Sequence, residues 1–272
     1  MTSKLAAFEP FLTRWTLAVD GSPFETTYKS RLLPVRQRGA AAILKISSGE
    51  EERKGGILLA WYEGHGAVRV LAREGSAILL ERAMGTRDLA AMARSGQDDE
   101  ATKILCATAA LLHAPRKTPP PASLVPLPVW FRALPQAASE RGGIFAKSER
   151  VARELLDDVR DATVLHGDLH HGNVLDGDAR GWLVIDPKGL IGERGYDYAN
   201  VLCNPDAATA LAPGRLQRQA QIVCLESGLE PERLMKWLLA YCGLSAAWSL
   251  GDGHDARPAI ALAELAASEL GM

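Results

Sequence analysis

Residues 164–200 read VLHGDLHHGNVLDGDARGWLVIDPKGLIGERGYDYAN, a non-helical block set between helical stretches. His166, Asp168 and, five positions further on, Asn173 stand in its first part. Two short β-runs, Val174-Leu175 and Trp182–Ile185, flank the turn Asp176-Gly177-Asp178-Ala179-Arg180-Gly181, and the second run ends in Asp186. Such a hairpin brings Asn173 and Asp186 together, with Asp168 on the loop just before. Oxygen donors from one Asn and one Asp suit Mg²⁺, a hard cation usually held by few protein ligands plus substrate phosphates. A third carboxylate without metal duty can take a proton from an attacking hydroxyl. The block therefore points to phosphoryl transfer to an alcohol, which needs a base, a metal and a nucleotide.

Upstream, residues 1–83 read as mostly strand. Thr13–Val19 is a β-rich run closed by Asp20-Gly21-Ser22-Pro23, and Tyr28–Arg36 and Ala41–Ile46 form a hairpin through Gln37-Arg38-Gly39. Glu50–Tyr62 has Ile57, Leu58 and Trp61 at helical spacing. Ala67–Leu71 and Ala77–Glu81 make a further strand pair. Beyond residue 83 the period changes. Asp98–His113 places Ile104, Leu105, Ala109 and Leu112 on one helical face and stops at Ala114-Pro115. Thr118-Pro119-Pro120-Pro121 is a stiff connector, and Val151–Val159, Pro231–Leu250 and Ala259–Leu270 read as further helices. The expected class is α+β, with a small β-rich lobe at 1–83 and a mainly helical lobe at 84–272.

The 272 residues carry 31 Lys+Arg and 33 Asp+Glu, with 47% hydrophobic residues, an ordinary globular balance that argues against disorder. Residues 1–83 hold 12 Lys+Arg against 9 Asp+Glu, while the rest holds 19 against 24, which fits a first part facing phosphates and a second facing a cation. A net charge of −2 gives no reason to expect nucleic acid or an anionic membrane as partner. The first fifteen residues lack the apolar core of a signal peptide, and the apolar stretch 237–250 is too short to span a bilayer. Four scattered cysteines show no CxxC spacing, so a cytoplasmic protein with free thiols is expected.

His166-Gly167-Asp168 with Asn173 and then Ile185-Asp186-Pro187 resembles the catalytic and metal-binding loops of the protein-kinase-like fold, in the form used by aminoglycoside phosphotransferases. The longer string is similar to streptomycin 6-phosphotransferases and the hydroxyurea-type antibiotic kinases grouped with them. The likeness continues through Leu33–Gln37, Gly66–Val70, Ser95–Glu100, Leu112–Pro115 and Gly243–Trp248, nearly the whole chain. The resemblance implies a bilobal kinase using ATP and Mg²⁺, with Asp168 as the base and Asn173 and Asp186 as metal ligands. It implies Lys45 as the strand lysine that contacts the α- and β-phosphates, with Glu52 as candidate ion-pair partner. It also implies that the backbone of Glu81-Arg82-Ala83-Met84 holds the adenine, with Glu81 and Ala83 as contacts. No GxGxxG lies between residues 20 and 40, and Thr26, Thr27 and Ser30 are the candidates to cover the phosphates instead. Pro187 follows the metal aspartate, so no activation-loop switch is expected.

Rival readings stand beside these. His166, Asp168, His170 and His171 are a conceivable hydrolase metal cluster, but no HxH or HExxH spacing supports zinc. Glu50-Glu51-Glu52 is a charge run suited to a solvated first helical turn, so Glu51 competes with Glu52 for Lys45. Asp197 is expected to brace the catalytic loop from the next helix. The expected acceptor is an aminoglycoside, streptomycin at its 6-position, with hydroxyurea or another small hydroxyl-bearing metabolite as the alternative. Streptomycin carries guanidinium groups, which call for carboxylates in the pocket; Glu193 and Asp252, with Asp255 and Glu264, are the candidates.

Overall fold

The computed structural model describes residues 5–25 and 30–272. Thr26, Thr27 and Tyr28, and with them part of the expected phosphate cover, lie outside the described residues. The N-terminal part is a short helix, α1 (Glu9–Arg14), and a six-stranded antiparallel sheet. Its strands are β1 (Leu17–Val19), β2 (Phe24–Glu25), β3 (Arg31–Gln37), β4 (Ala40–Ile46), β5 (Val70–Glu74) and β6 (Ala77–Glu81). They lie in the order β1-β3-β4-β6-β5, with β2 also on β3. The β3–β4 hairpin pairs Gln37 with Ala40 across Arg38 and Gly39, whose φ values of 49° and 83° give the left-handed turn that matches strand twist.

Successive side chains on a strand point to opposite faces. Ala42, Leu44 and Ile46 therefore go to one face of β4, in a core with Leu33, Val35, Leu79 and Phe8. Lys45 goes to the other face, under helix α2 (Glu50–Tyr62). A run expected as strand from Thr13 is in fact the end of α1, with the strand confined to Leu17–Val19. Pro10 in the first turn, Glu9 at the positive end and Arg14 at the negative end favour helix there. Its Phe8, Phe11 and Trp15 recur at helical spacing and cap the sheet. The strand expected at Ala67–Leu71 begins instead at Val70, with a register irregularity between Val70 and Ala72.

The C-terminal part is mainly helical: α3 (Leu89–Arg94), α4 (Asp98–His113), α5 (Leu127–Trp130), α6 (Ala133–Arg141), α7 (Gly143–Asp157), α8 (Gly195–Leu202), α9 (Ala207–Ala210), α10 (Arg215–Ser227), α11 (Pro231–Gly251) and α12 (Arg257–Glu269). A three-stranded sheet, β7 (Val125–Pro126), β11 (Leu190–Glu193) and β8 (Ala162–Leu165), and a hairpin, β9 (Val174–Asp176) with β10 (Trp182–Val184), interrupt the helices. Helix α7 starts eight residues before the expected Val151, because Phe145 and Ser148 continue its buried stripe of Val151, Ala152 and Leu155 backwards. Central α11 buries Trp237 against Tyr196 and Phe131, with ring centroids 6.2 and 6.3 Å away. No helix of the described residues is long and apolar enough to cross a membrane.

The two parts are stitched at the hairpin. Ala67 bridges Val184, the Gly85 amide donates to the Asp176 carbonyl at 2.8 Å, and Arg87 grips the Asp176 carboxylate at 2.8 and 3.0 Å. The hairpin that carries Asn173 and Asp186 at its ends is thus also the seam between sheet and helices.

Candidate active site

The loop after β8 is held from beneath by one buried carboxylate. Asp197, in the first turn of α8, accepts from the amides of His166 (2.9 Å) and Gly167 (2.7 Å) and from His113 Nε2 (2.9 Å). Burial pushes its carboxyl up, but the His113 hydrogen bond, the nearby imidazoles and the Gly167 amide outweigh that and hold it below the usual range. His166 is fully buried; its Nε2 donates to the Ile185 carbonyl (2.9 Å) and its Nδ1 accepts the Asp168 amide (3.2 Å). Burial drives its pKa down, so it is a neutral strut between the two loops. His171 is buried as well, with its pKa pushed to about 3, chiefly by burial. Among the described residues no three His, Cys, Asp or Glu side chains form a metal-ligand set.

Asp168 stands at the mouth of this scaffold. Its Oδ2 accepts from Asn173 Nδ2 (3.3 Å) and its Oδ1 from Asn200 Nδ2 (3.2 Å). Asn200 is aimed by Tyr241 and Asn204, which donate to its Oδ1 at 2.7 and 2.9 Å. The reading of the sequence missed Asn200, Tyr241 and His113. A signal existed for Asn200, which follows Asp197 by three positions and so shares its helix face.

Lys45 meets Glu52 at 2.5 Å and Asp186 at 2.7 Å. Glu51, the competing partner, turns instead to Lys188 at 2.7 Å. Asp186 adopts φ 55°, a left-handed backbone that costs a non-glycine residue energy and places its carboxylate beside Lys45. Helix α2 reaches the site only because Gly55 lies against Pro187: a Cβ there would sit 2.2 Å from the Pro187 carbonyl oxygen. Gly55→Ala is expected to lift α2, loosen the Lys45–Glu52 pair and cost about 1–3 kcal/mol. Urea unfolding and the KM for ATP check this; an unchanged midpoint with an unchanged KM contradicts it.

Asn173 spends its Nδ2 on Asp168, which leaves Oδ1 for a cation, and Asp186 keeps Oδ2 beside the oxygen that Lys45 takes. One amide oxygen and one carboxylate oxygen, both on a cavity of about 550 Å³, fit a Mg²⁺ that completes its shell with water and phosphate. On the expected adenine strand, the Glu81 and Arg82 amides already donate to the carbonyls of Arg69 and Ala41. The Glu81 carboxylate is engaged by Arg180 and the Arg69 amide. Ser30 is buried with its hydroxyl 2.7 Å from Ser47.

The acidic candidates part company. Glu193 is 1% exposed and binds Arg233, the Trp237 indole (2.7 Å) and the Arg160 amide (2.9 Å); it is a core brace, and its expected substrate role is discarded. Asp252, at the end of α11, lines a second cavity of about 850 Å³ with Trp130, Trp248, His254 and Asp168. Trp130 and Trp248 stand edge to face at 5.2 Å. Asp255 is tied to Arg257 at 2.8 Å, which lowers its pKa to about 2, and Glu264 is exposed on α12.

A sequence profile of the aminoglycoside/hydroxyurea antibiotic resistance kinases matches residues 14–253. The chain is 51% identical over 247 residues to a streptomycin 3''-kinase of Klebsiella pneumoniae, covering 89% of this chain and 92% of the relative. A streptomycin 6-kinase of Streptomyces glaucescens is 30% identical, over 92% of this chain and 84% of the relative. A hydroxyurea phosphotransferase of Kitasatospora aureofaciens is 31% identical, over 94% and 76%. Among solved structures, aminoglycoside phosphotransferase APH(3'')-Id of Streptomyces rimosus, in complex with ADP and streptomycin, superposes with a TM-score of 0.60 at 18% identity, covering 89% of this chain and 98% of that one. The bilobal kinase fold, the motif at 166–186 and the near full-length match agree: the chain belongs to the family of aminoglycoside/hydroxyurea antibiotic resistance kinases.

Proposed function

We propose that the chain phosphorylates a hydroxyl of streptomycin with ATP as donor, residues 1–83 serving as the nucleotide lobe and 84–272 as the catalytic and acceptor lobe. The observation that carries this reading is the place of Asp168. It lines both the cavity holding Asn173 and Asp186 and the cavity holding Trp130, Trp248 and Asp252. A base between a phosphate donor and a cationic acceptor needs that junction. The aromatic faces and the carboxylate suit guanidinium groups, through cation–π contact and bidentate hydrogen bonds. The 3'' position is favoured over the 6-position by the 51% identity to the 3''-kinase against about 30% to a 6-kinase.

In this mechanism Asp168 orients the acceptor hydroxyl and takes its proton, held in place by Asn173 and Asn200. Lys45, fixed by Glu52, contacts the donor phosphates, and the main chain at Glu81 and Ala83 holds the base. Asn173 and Asp186 would hold Mg²⁺, which would supply positive charge to the phosphate oxygens. Hydroxyurea is the second reading, supported by the 31% identical phosphotransferase, but so small a molecule leaves most of the about 850 Å³ cavity unfilled. The test is ADP release with streptomycin, kanamycin, spectinomycin, hydroxyurea or no acceptor, followed by NMR assignment of the phosphorylated position. Release with streptomycin and a 3''-phosphate are expected. Release with hydroxyurea alone moves the protein to the second reading, and a 6-phosphate overturns the position.

A further inference from the structure

The catalytic loop 166–173 contains no Lys or Arg. Lys45 is engaged by Glu52 and Asp186 at the donor side. Asp168 shares one cavity with Asp186 and the other with Glu51, and in the proposed mechanism the negatively charged phosphoryl group passes beside it. In a low-dielectric cleft such transfer gains from a cation aimed at that charge from the acceptor side, besides Lys45 and the Mg²⁺ that Asn173 and Asp186 would hold.

Among the described residues Lys188, two residues beyond Asp186, stands at that place. Its Nζ stands 3.9 Å from Asp168 Oδ2 and 2.7 Å from Glu51 Oε1, and its side chain is 13% exposed. It lines both cavities that meet at Asp168. Its backbone is pinned to the catalytic loop, since the Lys188 amide donates to the His166 carbonyl at 2.7 Å. A lysine that merely decorated the surface would not be fixed to the loop of the base and shared between the two cavities.

We infer that Lys188 is a further catalytic residue, which binds the transferring phosphoryl group and neutralises its oxygens between donor and acceptor. In the step, the acceptor oxygen forms a bond to the γ-phosphorus, and the bond from that phosphorus to the β–γ bridging oxygen breaks. The electron pair leaves with ADP, and the hydroxyl proton goes to Asp168. Lys188 makes and breaks no covalent bond and keeps its protons. The inference rests on the reading of Asp168 as the base, so the tests are chosen to fail separately.

Lys188→Met and Lys188→Arg are compared with the parent enzyme in ADP release with streptomycin. Calorimetry gives the Kd for Mg·ADP and for Mg·AMP-PNP, and melting curves report folding. Lys188→Met is expected to lower kcat by about 10²–10³-fold, the scale of losing one charge-stabilising donor. Its Mg·ADP affinity stays within about twofold while Mg·AMP-PNP, which has a γ-phosphoryl, binds more weakly. Lys188→Arg, which retains charge, recovers part of the kcat even if the methionine variant melts early. A kcat within about threefold of the parent for Lys188→Met overturns the inference. So does an equal loss of affinity for both nucleotides, which places Lys188 in holding α2 through Glu51. Asp168→Asn, run alongside, tests the base independently.

Discussion

Asp168→Asn lowers kcat by more than ~10²-fold while the protein still binds Mg·ADP, the scale expected for losing a positioned base. The substitution keeps size and shape. In the proposed mechanism it removes the proton acceptor, and it also places an amide NH₂ among the donors Asn173 Nδ2 and Asn200 Nδ2, which now face two carboxylate oxygens. The acceptor hydroxyl then has neither a base nor a firmly held hydrogen-bond partner. Loss confined to kcat marks a transition-state interaction; a rise in KM alone marks a binding role. Steady-state ADP release and nucleotide calorimetry read both. Near-normal turnover removes Asp168 from the chemistry.

Asp197→Ala is the second large effect, and it falls on stability as well as activity. The carboxylate is fully buried and satisfies the His166 and Gly167 amides and His113 Nε2. Alanine leaves those three donors without an acceptor in a site closed to water. Each buried orphan costs about 1–3 kcal/mol, and roughly 3–5 kcal/mol in total is expected because the loop partly relaxes. That is a large share of the ~5–15 kcal/mol that keeps a domain folded. The relaxation moves Asp168 off its acceptor, so activity falls even at temperatures where the variant is folded. Urea unfolding measures the first effect and turnover of the folded variant the second. A loss below about 1 kcal/mol with full turnover contradicts the bracing role, since a surface carboxylate would behave that way.

The elements that were legible carry a strong local pattern. Glu50–Tyr62, Ala77–Glu81 and Asp98–His113 have the bounds their periodicity implies, because capping acids, a β-rich run and a terminating Ala114-Pro115 all act within a few residues. The expected start of α7 at Val151 is late because Gly143 and the polar Ser148 mask the start of its buried stripe, which only packing against α11 reveals: a Cβ on Gly243 would lie 2.2 Å from Ser148 Cβ. In the site, Lys45, Glu52, Asp168, Asn173 and Asp186 do converge in one cleft, since short loops around one hairpin tie most of them together. The expectation for Glu193 fails for the opposite reason. Its partners Arg233 and Trp237 lie 40 and 44 residues away, and nothing local in the chain shows that they enclose it. His113 and Tyr241 carry no local signal on the same ground, because each acts from another helix through α8, on Asp197 and on Asn200.

The most direct measurement follows the γ-phosphate of labelled ATP in the presence of Mg²⁺ and streptomycin, for the parent enzyme and for Asp168→Asn. The label is expected to move onto streptomycin in the parent and to stay on ATP in the variant. Label released as free phosphate whether or not streptomycin is present, or transferred equally well by Asp168→Asn, contradicts the account of a streptomycin kinase built around Asp168.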